Sequence, residues 1–378
     1  MTASAVTETI YTKDFLEFIG DSGDELAQLR RAAFDHFSVV GFPTVKNEEW
    51  KYTNTKPISD ARFEISDLNS GEAPIERVRE FKYDRNGVTA LHFAFAEFFV
   101  VTIPAETSIA EPIEFKFTNG DGHARFPHLI VIAEQGSKAT IVESYEGESA
   151  CFTNAGTQVF VAANANITHY RVQKESPDAF HVGTTEVTLG AGSLYDSTNI
   201  NLGGAIARHD VHVNFTAEGG EAFVDGLYML NGYQHSDTHS SIDHAVPNCI
   251  SHQTYKGVLS DKSRGVFNGK VFVRENARGT DAQQSNKNLL LSNDARVDTK
   301  PQLEIFNDDV KCSHGATVGQ LEDEEMFYLL SRGINPALAA NLLTYGFAEE
   351  IINKISIESI KRDLDEAVLN RLHVSLEV

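Results

Sequence analysis

Val159-Phe160-Val161-Ala162-Ala163-Asn164-Ala165 returns 28 residues later as Val187-Thr188-Leu189-Gly190-Ala191-Gly192-Ser193. The arrangement extends both ways through Gly136, Asn164, Gly192, Gly220, Asn248 and Asn276, five consecutive steps of 28. Glycine and asparagine tolerate the positive φ of a sharp turn. Three residues before each stand Ala133, Val161, Leu189, Ala217, Ala245 and Val273; five before stand Val131, Val159, Val187, Phe215, Asp243 and Val271. Positions two apart share a face of a strand, so a strand with these residues inward is expected to enter each turn. The next residue is usually small: Ser137, Ala165, Ser193, Glu221, Cys249 and Ala277. Only a chain that stacks on itself needs the same corner chemistry at constant spacing, because each coil must lie in register on the last. The pattern predicts a mainly β fold, a β-solenoid and most simply a parallel β-helix, within residues 86–320. Asp243, an acid where other coils carry apolar residues, is expected to be hydrogen-bonded inside or to mark a local polar pocket.

A solenoid that stops leaves unpaired main-chain donors and acceptors along its last coil. The period fades near Pro301, which puts Leu303 to Val318 at or beside that edge. Within it runs Asp308-Asp-Val-Lys-Cys-Ser-His-Gly-Ala-Thr-Val-Gly-Gln320. In an extended segment Cys312 and His314, two apart, project on the same side. Taken alone, the pair also fits a small buried Cys beside a hydrogen-bonded His. As metal ligands they are half a site, since iron or zinc bound by sulfur and nitrogen usually takes four donors. At an edge, a second solenoid could continue the sheet and bring the missing donors. The same exposed edge predicts a homodimer when the chain is isolated.

The flanks differ in texture. Residues 1–85 are mixed and helix-leaning: Ser22 is expected to cap a helix with Leu26, Leu29, Ala33, Phe34 and Phe37 inward, ended by Gly41 and Pro43. Trp50, the only Trp, reads as an anchor of this peripheral segment on the core. Residues 321–378 read as a helical appendage. Acids at 322–325 favour a helix N-terminus, and Met326, Phe327, Leu329 and Leu330 form an apolar face ended by Gly333. Asn335-Pro336 starts a helix to Tyr345, and Ile357, Ile360, Leu364, Val368 and Leu372 mark a last one.

The formal charge of -22 opposes nucleic acid or an anionic membrane as partner, since both require clustered Lys and Arg. The longest apolar run, Ala90 to Ile103, is interrupted by His92 and Glu97 and too short to span a bilayer. The N-terminus lacks a basic region followed by an apolar core, so a cytoplasmic location is expected. Three widely spaced cysteines, Cys151, Cys249 and Cys312, do not describe a disulfide framework. His235, His239, His244, Cys249 and His252, with Asp237 and Asp243, form a His-rich segment. On strands, positions four apart are too distant for one ion, so structural or surface roles are expected unless adjacent coils converge. His209 and His212 fall on opposite faces. No Walker loop, Gly-x-Ser-x-Gly elbow or His-Glu-x-x-His occurs. A solenoid enzyme acting on acidic polysaccharide would need export and a basic or calcium-binding groove, and a transporter component would need a spanning segment.

Lys311-Cys-Ser-His-Gly-Ala-Thr-Val-Gly319 followed by Phe327-Tyr-Leu-Leu-Ser-Arg-Gly-Ile334 closely resembles the signature of the SufB/SufD family of iron–sulfur cluster assembly proteins. Tyr255-Lys-Gly-Val-Leu259, Phe267-Asn-Gly-Lys270, Asn288-Leu-Leu-Leu-Ser292 and Glu49-Trp-Lys-Tyr-Thr53 extend the likeness over nearly the whole chain. With only three cysteines, the sequence is nearer the SufD than the SufB branch. The resemblance implies a right-handed parallel β-helix with helical ends, acting as a non-catalytic scaffold of the SUF machinery. It implies a heterodimer with SufB through the C-terminal β-helix edge, and a SufC ATPase, the site of ATP hydrolysis, on the C-terminal helices, where Phe327, Tyr328, Arg332 and Tyr345 are the docking candidates. It assigns Cys312 and His314 to the cluster-assembly interface, as transient metal ligands of an iron–sulfur cluster shared with SufB. No permanently bound cofactor is expected.

Overall fold

A computed structural model of the chain describes residues 9–66 and 72–372; residues 1–8, 67–71 and 373–378, parts of the two flanking segments, lie outside it. Two all-parallel sheets, one of ten strands and one of eight, are wound alternately by successive coils into a β-solenoid. The fold class is the one expected. From Lys138–Glu146 onward the chain alternates between sheets every strand, ending in Arg296–Ile305 on the larger sheet and Lys311–Gly319 on the smaller.

One corner column holds the stack in register. Glu106, Gly136, Asn164, Gly192, Gly219, Asn248 and Gly279 all adopt φ between 56 and 77°. Each donates its N–H to the carbonyl of the residue preceding the next member, or of Asp309 after the last, at 2.7–3.4 Å. Where the left-handed residue is not glycine, its side chain covers the following glycine: Asn164 Oδ1 would lie 2.8 Å from a Cβ on Gly192. This corrects two of the expected turn residues. Gly219 replaces Gly220 and Gly279 replaces Asn276, because the coils are not of constant length. Leu189, Phe215, His244, Val273 and Ile305 share one inward column yet are separated by 26, 29, 29 and 32 residues.

The slip also moves Asp243. His244, fully buried, takes the inward place, and Asp243 turns out to meet Arg274 at 2.7 and 2.9 Å. The interior acid expected there does not exist. Ala217 and Ala245 leave the core for the same reason, being half-buried and exposed. Cys249, one of the small residues after the corner, is fully buried, and its thiol donates to Pro247 O at 3.4 Å. Its role is to fill the corner.

The N-terminal helices α1 (Thr12–Ile19), α2 (Glu25–Val40), α3 (Lys56–Asp60), α4 (Ile75–Val78) and α5 (Gly87–Phe95) pack on the outer face of the larger sheet. Asp24, not Ser22, caps α2, accepting from Ala27 N at 2.8 Å; Ser22 donates to Asp24 instead. Phe15, Phe34, Phe37 and Phe95 close this packing, with Phe15 and Phe34 stacked at 4.1 Å. At the other flank, α6 (Asp323–Ser331), α7 (Pro336–Ile352) and α8 (Glu358–Arg371) follow the last strand. Asn335 caps α7 as expected. The helix runs beyond Tyr345 through Gly346, because Ala348, Ile351 and Ile352 bury against Val172, Leu202 and Val258 of the smaller sheet, which outweighs the ~1 kcal/mol penalty of a helical glycine.

The corner column generates a test. Asn164→Gly should leave stability within about 0.5 kcal/mol, whereas Asn164→Val forces a β-branched residue into the left-handed region and should cost about 1–2 kcal/mol. Thermal or urea unfolding of the two variants measures the difference.

Candidate functional site

Lys311–Gly319 is the last strand of the smaller sheet, hydrogen-bonded on one side only, to Asp281–Leu290. Arg296–Ile305 ends the larger sheet in the same way. Both sheets therefore finish together in an open mouth. Register places Cys312 beside Ala282 and His314 beside Gln284, and both of those residues point into the solenoid. Cys312 and His314 thus share the inner face of the final coil. With no coil beyond them, Cys312 is half-buried against Val271, Val273, Ala277 and Ala282, and His314 is exposed. Ile305, Phe306 and Val318, 42–57% exposed, add an apolar rim of the kind a partner covers.

Burial pushes the Cys312 thiol above its ordinary value, and Asp281 adds to the rise against the backbone N–H of Ala282. The group is therefore a protonated thiol near neutral pH, and a metal must displace its proton to bind. Among the described residues, no group of three or more His, Cys, Asp or Glu side chains is placed to hold a metal. Two donors at one mouth fall short of the four that iron or zinc bound by sulfur and nitrogen usually takes. Cys151 and Cys249 are buried, with thiols raised first by burial, Cys151 to about 12. Cys312 is the accessible thiol.

The helical candidates divide. On α6, Phe327 and Tyr328 are 73% and 57% exposed and Arg332 lies 5.2 Å over the Tyr328 ring. Tyr345 belongs to α7 and turns toward α8, donating to Asp365 at 3.0 Å. The structure pairs Tyr328 with Arg332, leaves Phe327 exposed on the same helix and sets Tyr345 apart. Leu338 and Leu342 of α7 are also exposed.

The His-rich segment forms an anchor. Trp50 is buried beneath Arg208, 3.9 Å from ring to guanidinium. Arg208, itself buried, meets Asp237 at 2.6 Å and Asp210 at 2.8 Å, and donates to Glu49 O at 2.8 Å. Thr53 donates to Asp237 at 2.5 Å and bonds His235 at 2.7 Å. His239 lies between Asp237, at 3.1 Å, and Glu49, at 3.3 Å. With Lys270, which meets Glu49 at 2.5 Å, these contacts tie the N-terminal segment to three successive coils. His209, inward, bonds Thr185 at 2.9 Å, while His212 lies on the opposite face, as expected.

A buried polar network escaped the sequence reading. Glu143, fully buried, accepts from Tyr145 at 2.5 Å and Thr157 at 2.8 Å, with His169 Nε2 at 2.9 Å. Glu175 accepts from Thr153, Gln173 and His181, and His181 also meets Arg171. The available signal was polar residues alternating at inward positions, as at Glu143 and Tyr145 or His169, Arg171 and Gln173. It needed the true register to be seen.

Residues 116–347 match the family profile described as SUF system FeS cluster assembly, SufBD core domain, and residues 8–115 match the SufBD protein N-terminal region. The chain belongs to the SufB/SufD family. An iron-sulfur cluster assembly SufBD family protein of Synechocystis is 39% identical over 282 residues, covering 71% of this chain and 62% of that protein. The iron-sulfur cluster assembly protein SufD of Escherichia coli is 38% identical over 251 residues, covering 66% and 59%. A SufBD family protein of Mycobacterium bovis is 31% identical over 342 residues, covering 88% and 82%. Thus the match spans about three fifths of the first two relatives' length. Among the described residues no helix is long and apolar enough to cross a membrane.

The anchor has a definite pH signature. Against burial, Arg208 and the neighbouring imidazoles hold Asp237 well below the carboxylate range. His239 and Lys270 hold Glu49 at about 2. Both acids stabilise the fold above about pH 4, the unfolded value, and lose that contribution as pH falls toward their folded values. Against burial and Arg208, Asp237 and Glu49 raise His239 above 6.5; its contribution is full below 6.5 and lost as pH rises through the folded value. Thermal melts should therefore show greatest stability at about pH 5–6.5 from these groups. Asp237→Asn should cost about 3 kcal/mol or more at pH 6 by leaving Arg208 incompletely paired, and should flatten the acid limb.

Proposed function

We propose that this chain is a non-catalytic, SufD-type scaffold subunit of the SUF machinery. In this reading it pairs with SufB through the terminal coil and offers Cys312 and His314 as two ligands of a nascent iron–sulfur cluster, the cargo of the assembly. The observation that carries the reading is the Cys312-x-His314 pair on the inner face of an unpaired terminal strand. A complementary strand from SufB satisfies the edge, covers Ile305, Phe306 and Val318, and supplies the remaining donors. Without SufB, the same edge pairs with a second copy of the chain.

The segments divide the work. Residues 1–85 brace the solenoid, residues 86–320 supply the shared edge, and residues 321–378 receive the SufC ATPase. Exposed Phe327 and Tyr328, with Arg332 beside them, are suited to an interface centre, since aromatic and Arg side chains dominate such contacts. Tyr345 acts from behind by fixing α7 against α8. ATP hydrolysis occurs in SufC and shifts the populations of open and closed interface through the appended helices. Work on the cluster takes place in a cytoplasmic, reducing setting, where Cys312 stays a thiol until iron displaces its proton.

Two experiments test this. Coexpression with SufB and SufC, anaerobic purification and iron and sulfide analysis should show a labile cluster with the wild type, and little or none with Cys312→Ser or His314→Ala in complexes of unchanged composition. Equal cluster content in those variants would make the edge a docking surface only. Phe327→Ala combined with Tyr328→Ala should weaken SufC binding at least about 10-fold while sparing the SufB pair; titration calorimetry with purified SufC reads this.

A further inference from the structure

Gln284 lies one strand behind His314, and its side chain points into the same mouth. It is 3% exposed, and neither its Oε1 nor its Nε2 has a hydrogen-bond partner among the described residues. Its amide reaches across to the larger sheet and occupies the space that a Cβ on Gly269 would fill. On the larger sheet's side of the mouth, Thr299 Oγ1 is likewise buried without a partner. Leaving such groups unmatched costs about 1–3 kcal/mol each. Two inward amides of the same strand are satisfied: Asn286 donates to Tyr255 O at 3.3 Å and Asn288 to Thr317 O at 3.3 Å. The Nε2 of Gln253, one strand further back, is also unmatched, but on the two strands nearest Cys312 and His314 the unmatched inward groups among the described residues are Gln284 and Thr299.

We propose that Gln284, supported by Thr299, is a positioning residue whose N–H and O–H groups donate to sulfur of the cluster held at Cys312 and His314. The inference rests on the proposed function and deepens it by assigning the floor of that site. Sulfide and thiolate sulfur are anionic acceptors, and hydrogen bonds to them set both the stability and the reduction potential of an iron–sulfur centre. A carboxamide is suited to this role because it donates without adding a charge that would compete for iron. Once a partner covers the mouth, water is excluded and each such bond strengthens.

The test uses Gln284→Leu and the near-isosteric Thr299→Val, each as the isolated chain and in the complex with SufB and SufC. In the isolated chain the melting temperature should be unchanged or raised, since each substitution removes an unmatched polar group. In the complex, composition should be unchanged. The cluster's midpoint potential should move negative, and acid-labile sulfide should be lost faster than from the wild type. A lowered melting temperature in both variants would make the two residues structural, and loss of SufB pairing would assign them to the partner contact; either overturns the inference. A wild-type cluster whose potential both variants leave unmoved removes the inference alone. A wild-type complex with no cluster removes the proposed function, and the inference with it.

Discussion

Every coil of this protein is held by main-chain hydrogen bonds to the coils on either side, and that requirement has no solution at the last one. Seven left-handed corner residues pass the register along by N–H donation from coil to coil. The ladder then stops at Arg296–Ile305 and Lys311–Gly319 with one side of each strand unpaired. A globular protein blunts such an edge with charge, proline or a covering helix. Here Pro301 interrupts one strand, but Lys311–Gly319 carries glycines, alanine and valine, and α7 and α8 pack elsewhere, on the outer face of the sheet. The edge is left in a state that favours addition of another strand. The proposed function is concentrated there because the architecture cannot close itself.

The N-terminal helices show how the same fold covers an exposed sheet face when it needs to. The first coils are buried under the Phe-rich packing of α1, α2 and α5. Farther along, the Trp50 segment is clamped by Arg208, Asp237 and His239. Burying a guanidinium and a carboxylate is costly unless their geometry is good and other donors complete them. Thr53 and the Glu49 carbonyl provide that completion. The pair therefore specifies where the peripheral segment sits more than it adds net stability. Such specificity matters in a solenoid, whose repeated outer surface offers similar docking places at each coil.

Much of this was legible in the sequence, and the losses within the solenoid have one cause. Gly136, Asn164 and Gly192 lie at true 28-residue steps, so the corner and its small successors Ser137, Ala165 and Ser193 read correctly. Beyond Gly192 the coils shorten and then lengthen, and a fixed frame assigns Asp243 to the core in place of His244. Side chains alternate with period two, so a one-residue slip exchanges inside for outside. That is why Arg208 with Asp237 and Glu143 with His169 were out of reach: each pairing joins different coils and depends on a register that no local pattern fixes. The edge survived the error because Cys312 and His314 are two apart and keep a common face in any frame. Helix caps fared well where Asn335 and Pro336 acted locally, and less well at Ser22, whose hydroxyl serves the Asp24 cap instead of the helix.

The half-site at the mouth gains meaning from its protonation state. A burial-raised thiol carries less thiolate than an ordinary one, which lowers the reactivity of Cys312 although it is the accessible thiol of the three. Metal binding must expel that proton, a cost offset only when enough ligands bind the same ion together. Under the proposed function, two donors from one chain fall short of four, so retention of iron would be conditional on the second chain's arrival. Pairing of the edge, exclusion of water and deprotonation of Cys312 are then coupled parts of one equilibrium. By reciprocity, whatever opens the edge weakens the hold on iron by the same free energy with which iron stabilises closure. Under the proposed function, such a scaffold would release its cargo by strand separation, with reprotonation of Cys312 as part of the same step.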